Sequence, residues 1–245
     1  MNHLIYVNPT LAIGLRKRLL RETGQDFSAA LECLFREVVP KGCQRYGSMH
    51  RRVVAYIKRH FRNRIVREVR QGTGRREVWA CELLLPEQPD DPMDSALVLV
   101  RVDAKRRDPL MPDFTNVGVR VSQHLVERVL QRRGDGAWDM AALTAELRPA
   151  LSIASRWQQE HLVRNGDGHW QLPTRHGLAF CVAEVGNTEL HFTTWVREDQ
   201  LHDEQRIARS ELLRRLVSFD FRNLAKSVRV VCGPRTPAAL ASAAK

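Results

Sequence analysis

The chain has 245 residues and a formal net charge of +11, long enough to bury a substantial core in one large domain or two small ones. Its hydrophobic fraction of 43% and charged fraction of 27% are ordinary globular proportions, which exclude wholesale disorder. No apolar run approaches the roughly 20 residues of a membrane span, and no basic region precedes a long apolar stretch at the N-terminus, so a cytoplasmic protein without a secretory leader is expected.

In chain order, the apolar spacing predicts a helix over 8–22, a second over 26–39 that stops at Pro40, and a third over about 45–62. Ile65 to Val69 then reads as a strand, Gln71 to Gly74 as a turn and Glu77 to Leu85 as its hairpin partner. Residues 86–94 form a proline-rich loop, Ser95 to Val102 a third strand, and 105–116 a connector. Val117 to Val121 reads as a short strand, followed by a helix to Arg133 with Ser122 as its N-cap. Residues 139–162 are helical, with a break near Pro149. Trp170 to Leu172, Leu178 to Glu184 and Thr188 to Val196 read as antiparallel strands, the last two joined by a Gly186-Asn187 turn. A long helix over 199–217, a strand over 228–232 and a frayed tail complete the chain.

The expected fold class is α+β: N-terminal helices with a short antiparallel sheet, then helices packed on a second antiparallel sheet. A basic nucleic-acid-binding unit over 1–104, an α+β unit over 117–232 and a flexible tail over 233–245 follow from it. One continuous domain is the alternative.

Five cysteines (Cys33, Cys43, Cys81, Cys181 and Cys232) form no C-x-x-C pair and read as reduced, mostly buried thiols. There is no P-loop, no H-E-x-x-H and no zinc-ligand spacing, and the G-T-G at 72–74 is too short for a dinucleotide fingerprint. Neither cofactor nor metal is expected.

The charge is concentrated. Residues 41–76 hold twelve Lys or Arg and a single acid, Glu68, so the rest of the chain is neutral. A local field of one sign suits a polyanion. At about 100° per residue, Arg51, Arg52, Lys58, Arg59 and Arg62 share one arc of the third helix. Met49, Val53, Tyr56, Ile57 and Phe61 lie opposite. His60 falls in the apolar arc and reads as packed. The basic run continues into Arg64, Arg67 and Arg70. Arginine outnumbers lysine, which favours bidentate phosphate contacts. Nucleic acid is the expected partner; an anionic membrane surface or an acidic protein is the alternative.

A second feature is Val121 to Gly134, VSQHLVERVLQRRG. Leu125, Val126, Val129 and Leu130 form a core face, and His124, Arg128 and Gln131 align on the other. On spacing alone this is either a plain polar surface or a histidine able to move a proton beside an arginine able to hold a phosphate. The pattern S-x-H-x-x-x-R-x-x-x-R-x-G, followed by an antiparallel sheet with a threonine-bearing strand, resembles the RelE-like and BrnT-like ribonuclease toxins of the barnase–EndoU–colicin–RelE superfamily. The resemblance covers about 117–196. It implies a helix packed on a four-stranded antiparallel sheet and metal-independent attack of an RNA 2′-hydroxyl on the adjacent phosphate. His124 would be the general base or acid, Arg128 the phosphate clamp and Arg132 a supporting cation. On the strand, His191 and Thr193 would add a proton shuttle and a phosphate donor, while Trp195 either stacks a base or is buried. The expectation is a nucleic-acid-binding protein acting as an endoribonuclease of toxin or effector type, on RNA in preference to DNA, with room for an inhibitory protein partner. The alternative is a non-catalytic DNA- or RNA-binding regulator, or a component of a defence or mobile element.

Overall fold

The computed structural model describes residues 7–38, 46–87, 95–107, 112–133, 138–160, 168–183 and 189–217. Helix α1 (Pro9–Cys33) begins where the Asn8 side chain accepts the Thr10 N–H at 2.9 Å and Pro9 takes the first helical position. It runs through Gly24 into a π-helical turn, Leu34–Val38, where the sequence reading places two helices. A mid-helix glycine costs about 1 kcal/mol. Burial of Ala12, Leu15, Leu19 and Thr23 along one face offsets that cost. Helix α2 (Tyr46–His60) leads through a 3-10 turn (Arg62–Arg64) into the sheet.

The strands are β1 (Ile65–Gln71), β2 (Val78–Pro86), β3 (Ser95–Lys105), β4 (Asp113–Ser122), β5 (Gly168–Pro173), β6 (Gly177–Ala183) and β7 (Leu190–Arg197). They form one seven-stranded sheet in the order β1-β2-β3-β4-β7-β6-β5, where the sequence reading expects two separate sheets. Every neighbouring pair is antiparallel except β4 and β7, which run parallel. The join sets Val119, Arg120 and Val121 beside Leu190, His191 and Phe192. β4 also starts earlier than expected, at Asp113. The expected Gly186-Asn187 turn, the strand over 228–232 and the tail lie outside the described residues.

Helices α3 (Gln123–Arg132), α4 (Met140–Glu160) and α5 (Asp203–Val217) complete the fold. α4 touches β1 and β5, the two edge strands, as well as β4 in the middle. Seven flat strands would span about 29 Å, and a helix is only about 10 Å wide. The sheet must therefore curl around α4. Its composition agrees: Leu143, Thr144, Glu146, Leu147, Ala150, Leu151, Ile153, Ala154 and Ser155 are all buried, and only a narrow stripe through Ala145, Arg148, Pro149 and Ser152 stays partly open. Pro149 lies inside α4 without ending it.

Two cores result. The inner one joins α1, α3 and α4 to Leu84, Leu97, Leu99, Val119, Val121, Leu190 and Phe192. The outer one sets Leu34, Met49, Val53, Ile57 and Phe61 against Trp79, Cys81, Leu83, Leu85, Val102 and Ala104. β2 is thus covered on both faces, which explains its nearly unbroken apolar run. Among the described residues no helix is long and apolar enough to cross a membrane.

Candidate functional site

α2 lays Met49, Val53, Ile57 and Phe61 on the sheet and turns Arg51, Arg52 and Arg59 to solvent, with Arg62 exposed just beyond its end. The helix contains no acidic residue. Arg70 is exposed at the end of β1, and Arg75 and Arg76 are exposed in the adjoining turn. The cations between these two groups are absorbed by the fold. Lys58 Nζ lies 2.5 Å from Glu68 and 5.7 Å from the centre of the Trp79 ring. Arg64 is buried, 5.9 Å from the Phe61 ring centre and 3.7 Å from Asp26. Burial pulls its guanidinium below the usual range, and Asp26 opposes the shift. Arg67 turns toward the inner side, 3.6 Å from the buried Glu82. A bulge between Ile65 and Arg67 sets that orientation, and residue counting cannot foresee it.

His60 is exposed and not packed as expected, because Phe61 takes the neighbouring core position. Its ring stacks on Tyr56 with centroids 4.1 Å apart and planes at 22°. The Tyr56 hydroxyl donates to the Ala30 carbonyl of α1 at 2.9 Å.

Ser122 caps α3 as expected, its hydroxyl oxygen accepting the Leu125 N–H at 3.1 Å. Arg128 Nε donates to His124 Nε2 at 3.2 Å, and Arg128 Nη1 to Gln131 Oε1 at 3.4 Å. The aligned face is therefore real, and His124 is exposed on it. Arg132, one turn on, donates to Gln200 at 3.0 Å.

His191 does not join this group. Leu190 and Phe192 point into the inner core with α3, so His191 and its neighbour Arg120 point to the other side of the sheet. There Arg120 bonds Glu87 and Glu189, and His191 Nε2 lies 3.6 Å from Glu189. Thr193 sits in a bulge, where its carbonyl accepts the Ser122 hydroxyl at 2.9 Å. Phe180 pairs with Thr194 while Cys181 pairs with Phe192, which leaves Thr193 as the extra residue. Its hydroxyl donates to the Phe180 carbonyl at 3.2 Å. The bulge reverses the alternation beyond it. Trp195 therefore lands on the inner side, fully buried, with Nε1 donating to Thr174 at 2.9 Å.

The sequence reading misses a second histidine site. Glu146, completely buried on α4, accepts the Thr174 hydroxyl and the His176 backbone N–H, each at 2.8 Å, on one oxygen. Its other oxygen lies 2.6 Å from His176 Nδ1. The His176 side chain is 46% exposed, so the buried carboxylate fixes the Nδ1 edge of a ring that is otherwise partly open to solvent. Arg209 fixes the turn by donating to the carbonyls of Thr174, Arg175 and Gly177. Gly177 is required there, since a Cβ would meet the Val196 carbonyl at 2.1 Å. The one available signal was a lone carboxylate inside the apolar run of α4.

Cys81 and Cys181 are buried free thiols and Cys33 is partly buried; Cys43 and Cys232 lie outside the described residues. Burial, reinforced by Glu68, Glu82 and Asp103, pushes the Cys81 thiol well above its ordinary range. It is held protonated and is a poor nucleophile. Among the described residues no group of three or more His, Cys, Asp or Glu side chains is arranged to hold a metal. No family model matches the chain, and neither a curated protein nor a solved structure matches it.

Proposed function

We propose that this protein binds nucleic acid along the outer face of α2, with Arg51, Arg52, Arg59 and Arg62 as the principal phosphate contacts. The observation that carries this reading is an arc of arginines on a helix without a single carboxylate. Arg70, Arg75 and Arg76 extend the positive surface from the hairpin turn. Such contacts give affinity and orientation rather than sequence readout. Four phosphate contacts predict a slope of log affinity against log salt of about −3 to −4. Fluorescence anisotropy with labelled oligonucleotides between 50 and 200 mM salt measures it. Arg51→Glu, Arg59→Glu and Arg62→Glu together should abolish the slope along with most of the binding. Salt-independent binding would rule the reading out.

The His124–Arg128 hydrogen bond supports a second reading, metal-independent ribonuclease activity of toxin or effector type. With Arg128 donating to Nε2, a neutral His124 ring carries its proton on Nδ1; for Nε2 to act as the base, the arriving 2′-hydroxyl must replace the Arg128 N–H on its lone pair, and Arg128 then turns to clamp the phosphate. His191 and Thr193 have no part in this form of the proposal. Incubation with total RNA in EDTA tests it. Cleavage that is lost in both His124→Ala and Arg128→Ala supports it, and intact RNA with the wild-type protein ends it.

A further inference from the structure

We infer, building on the nucleic-acid reading above, that the cleft between the end of α1 and α2 receives an unpaired base, and hence that the strand held along α2 is single-stranded. The cleft has a volume of about 630 Å³ and is lined by Cys33, Val38, Arg52, Ala55, Tyr56, Arg59 and His60. That volume lies within the roughly 300–1,000 Å³ typical of small-ligand sites. Its chemistry is divided as a nucleotide requires. Cys33, Val38 and Ala55 form an apolar wall, Tyr56 and His60 supply ring faces, and two guanidinium groups stand beside them.

Tyr56 is fixed by its hydroxyl bond to Ala30, which is on α1 across the cleft. It therefore presents its ring without a large entropy loss on binding. His60 already stacks on it and is exposed, so a base placed on the outer face of His60 extends an existing two-ring stack. Arg52 and Arg59 are seven residues apart, about 10.5 Å along the helix axis, and can hold phosphates on either side of such a base. A duplex keeps its bases within its own stack and offers this cleft nothing but phosphate. Unpaired strands present the base itself, and aromatic stacking is the usual way of holding them.

The test compares three dodecamers by fluorescence anisotropy: an unpaired DNA strand of mixed sequence, the same strand in a duplex, and a sugar–phosphate strand of equal length without bases. DNA lacks the 2′-hydroxyl that cleavage would need, so turnover cannot confuse the result. The base-bearing single strand should bind at least about fivefold more tightly than either of the others. His60→Ala should bring its affinity down to that of the base-free strand, and His60→Phe should restore the preference. Circular dichroism melting checks that both variants are folded, as expected for an exposed position. Equal binding of the base-bearing and base-free strands, or an unchanged preference in His60→Ala, overturns the cleft proposal while leaving the phosphate reading intact. If none of the three strands binds, both fail together.

Discussion

Glu146 is a completely buried carboxylate whose two oxygens serve three donors. Removing it would strand the Thr174 hydroxyl and the His176 amide inside the fold. Glu146→Ala should therefore cost about 3 kcal/mol, whereas His176→Ala, which leaves two donors on the carboxylate, should cost about 1 kcal/mol. Urea denaturation of both variants checks the ratio, and equal costs would mean that the network is not what stabilises this turn. Cys81 makes a pH prediction. Its folded thiol holds its proton well above the ordinary range, while in the unfolded chain the thiol ionises near pH 8.5. Its contribution is fully present below about pH 8.5. Above that pH the unfolded state releases a proton that the folded state keeps, so stability falls as pH rises. Denaturation from pH 7 to 10 should show this slope, and Cys81→Ala should flatten it. The alignment of His124 with Arg128 was legible in the sequence because helical periodicity alone determines it. The Glu146–His176 contact was not, because thirty residues and a strand separate its partners.

At the scale of elements, most helices and strands could be read from apolar spacing and caps. The misreadings came where packing overruled local preference: Gly24 does not break α1, and Pro149 does not end α4. Pro149 has no N–H for the Ala145 carbonyl. The next carbonyl, that of Glu146, is taken by the Arg175 N–H at 3.0 Å, so the β5–β6 turn docks beside the interruption. β7 was misread for another reason. Strict alternation places His191, Thr193 and Trp195 on one face, and the bulge at Thr193 cancels it. Deleting Thr193 should remove the bulge and leave Phe192, Thr194 and Trp195 in regular alternation, with Trp195 still on the inner side. The deletion variant is expected to keep a cooperative thermal transition and to bind no hydrophobic dye. Loss of the cooperative transition would show that the bulge itself is needed to seat Trp195.

At the scale of the whole molecule, the concentration of charge was legible and its use was not. Counting cations over 41–76 cannot tell which ones stay exposed. Lys58, Arg64 and Arg67 are taken up by Glu68, Asp26 and Glu82, while Arg51, Arg52, Arg59 and Arg62 reach the surface. The sheet order was also hidden, because the β4–β7 pairing joins distant segments through three residue pairs that carry no local signature. The N-terminal segment over 1–104 contributes Leu84, Leu97 and Leu99 to a core completed by α3, α4 and β7. Expressed alone it would expose those side chains. It should show helical circular dichroism without a cooperative urea transition, and a sharp transition would indicate an autonomous unit.

The parallel seam between β4 and β7 has a consequence for synthesis. Some seventy residues must leave the ribosome between the end of β4 and the start of its partner. At about 5–20 residues per second, the nascent chain carries an open strand edge for roughly 3–14 seconds. During that interval a neighbouring polypeptide could pair with it. Slow translation or a shortage of holdase chaperones should therefore lower the yield of this protein more than its equilibrium stability would suggest.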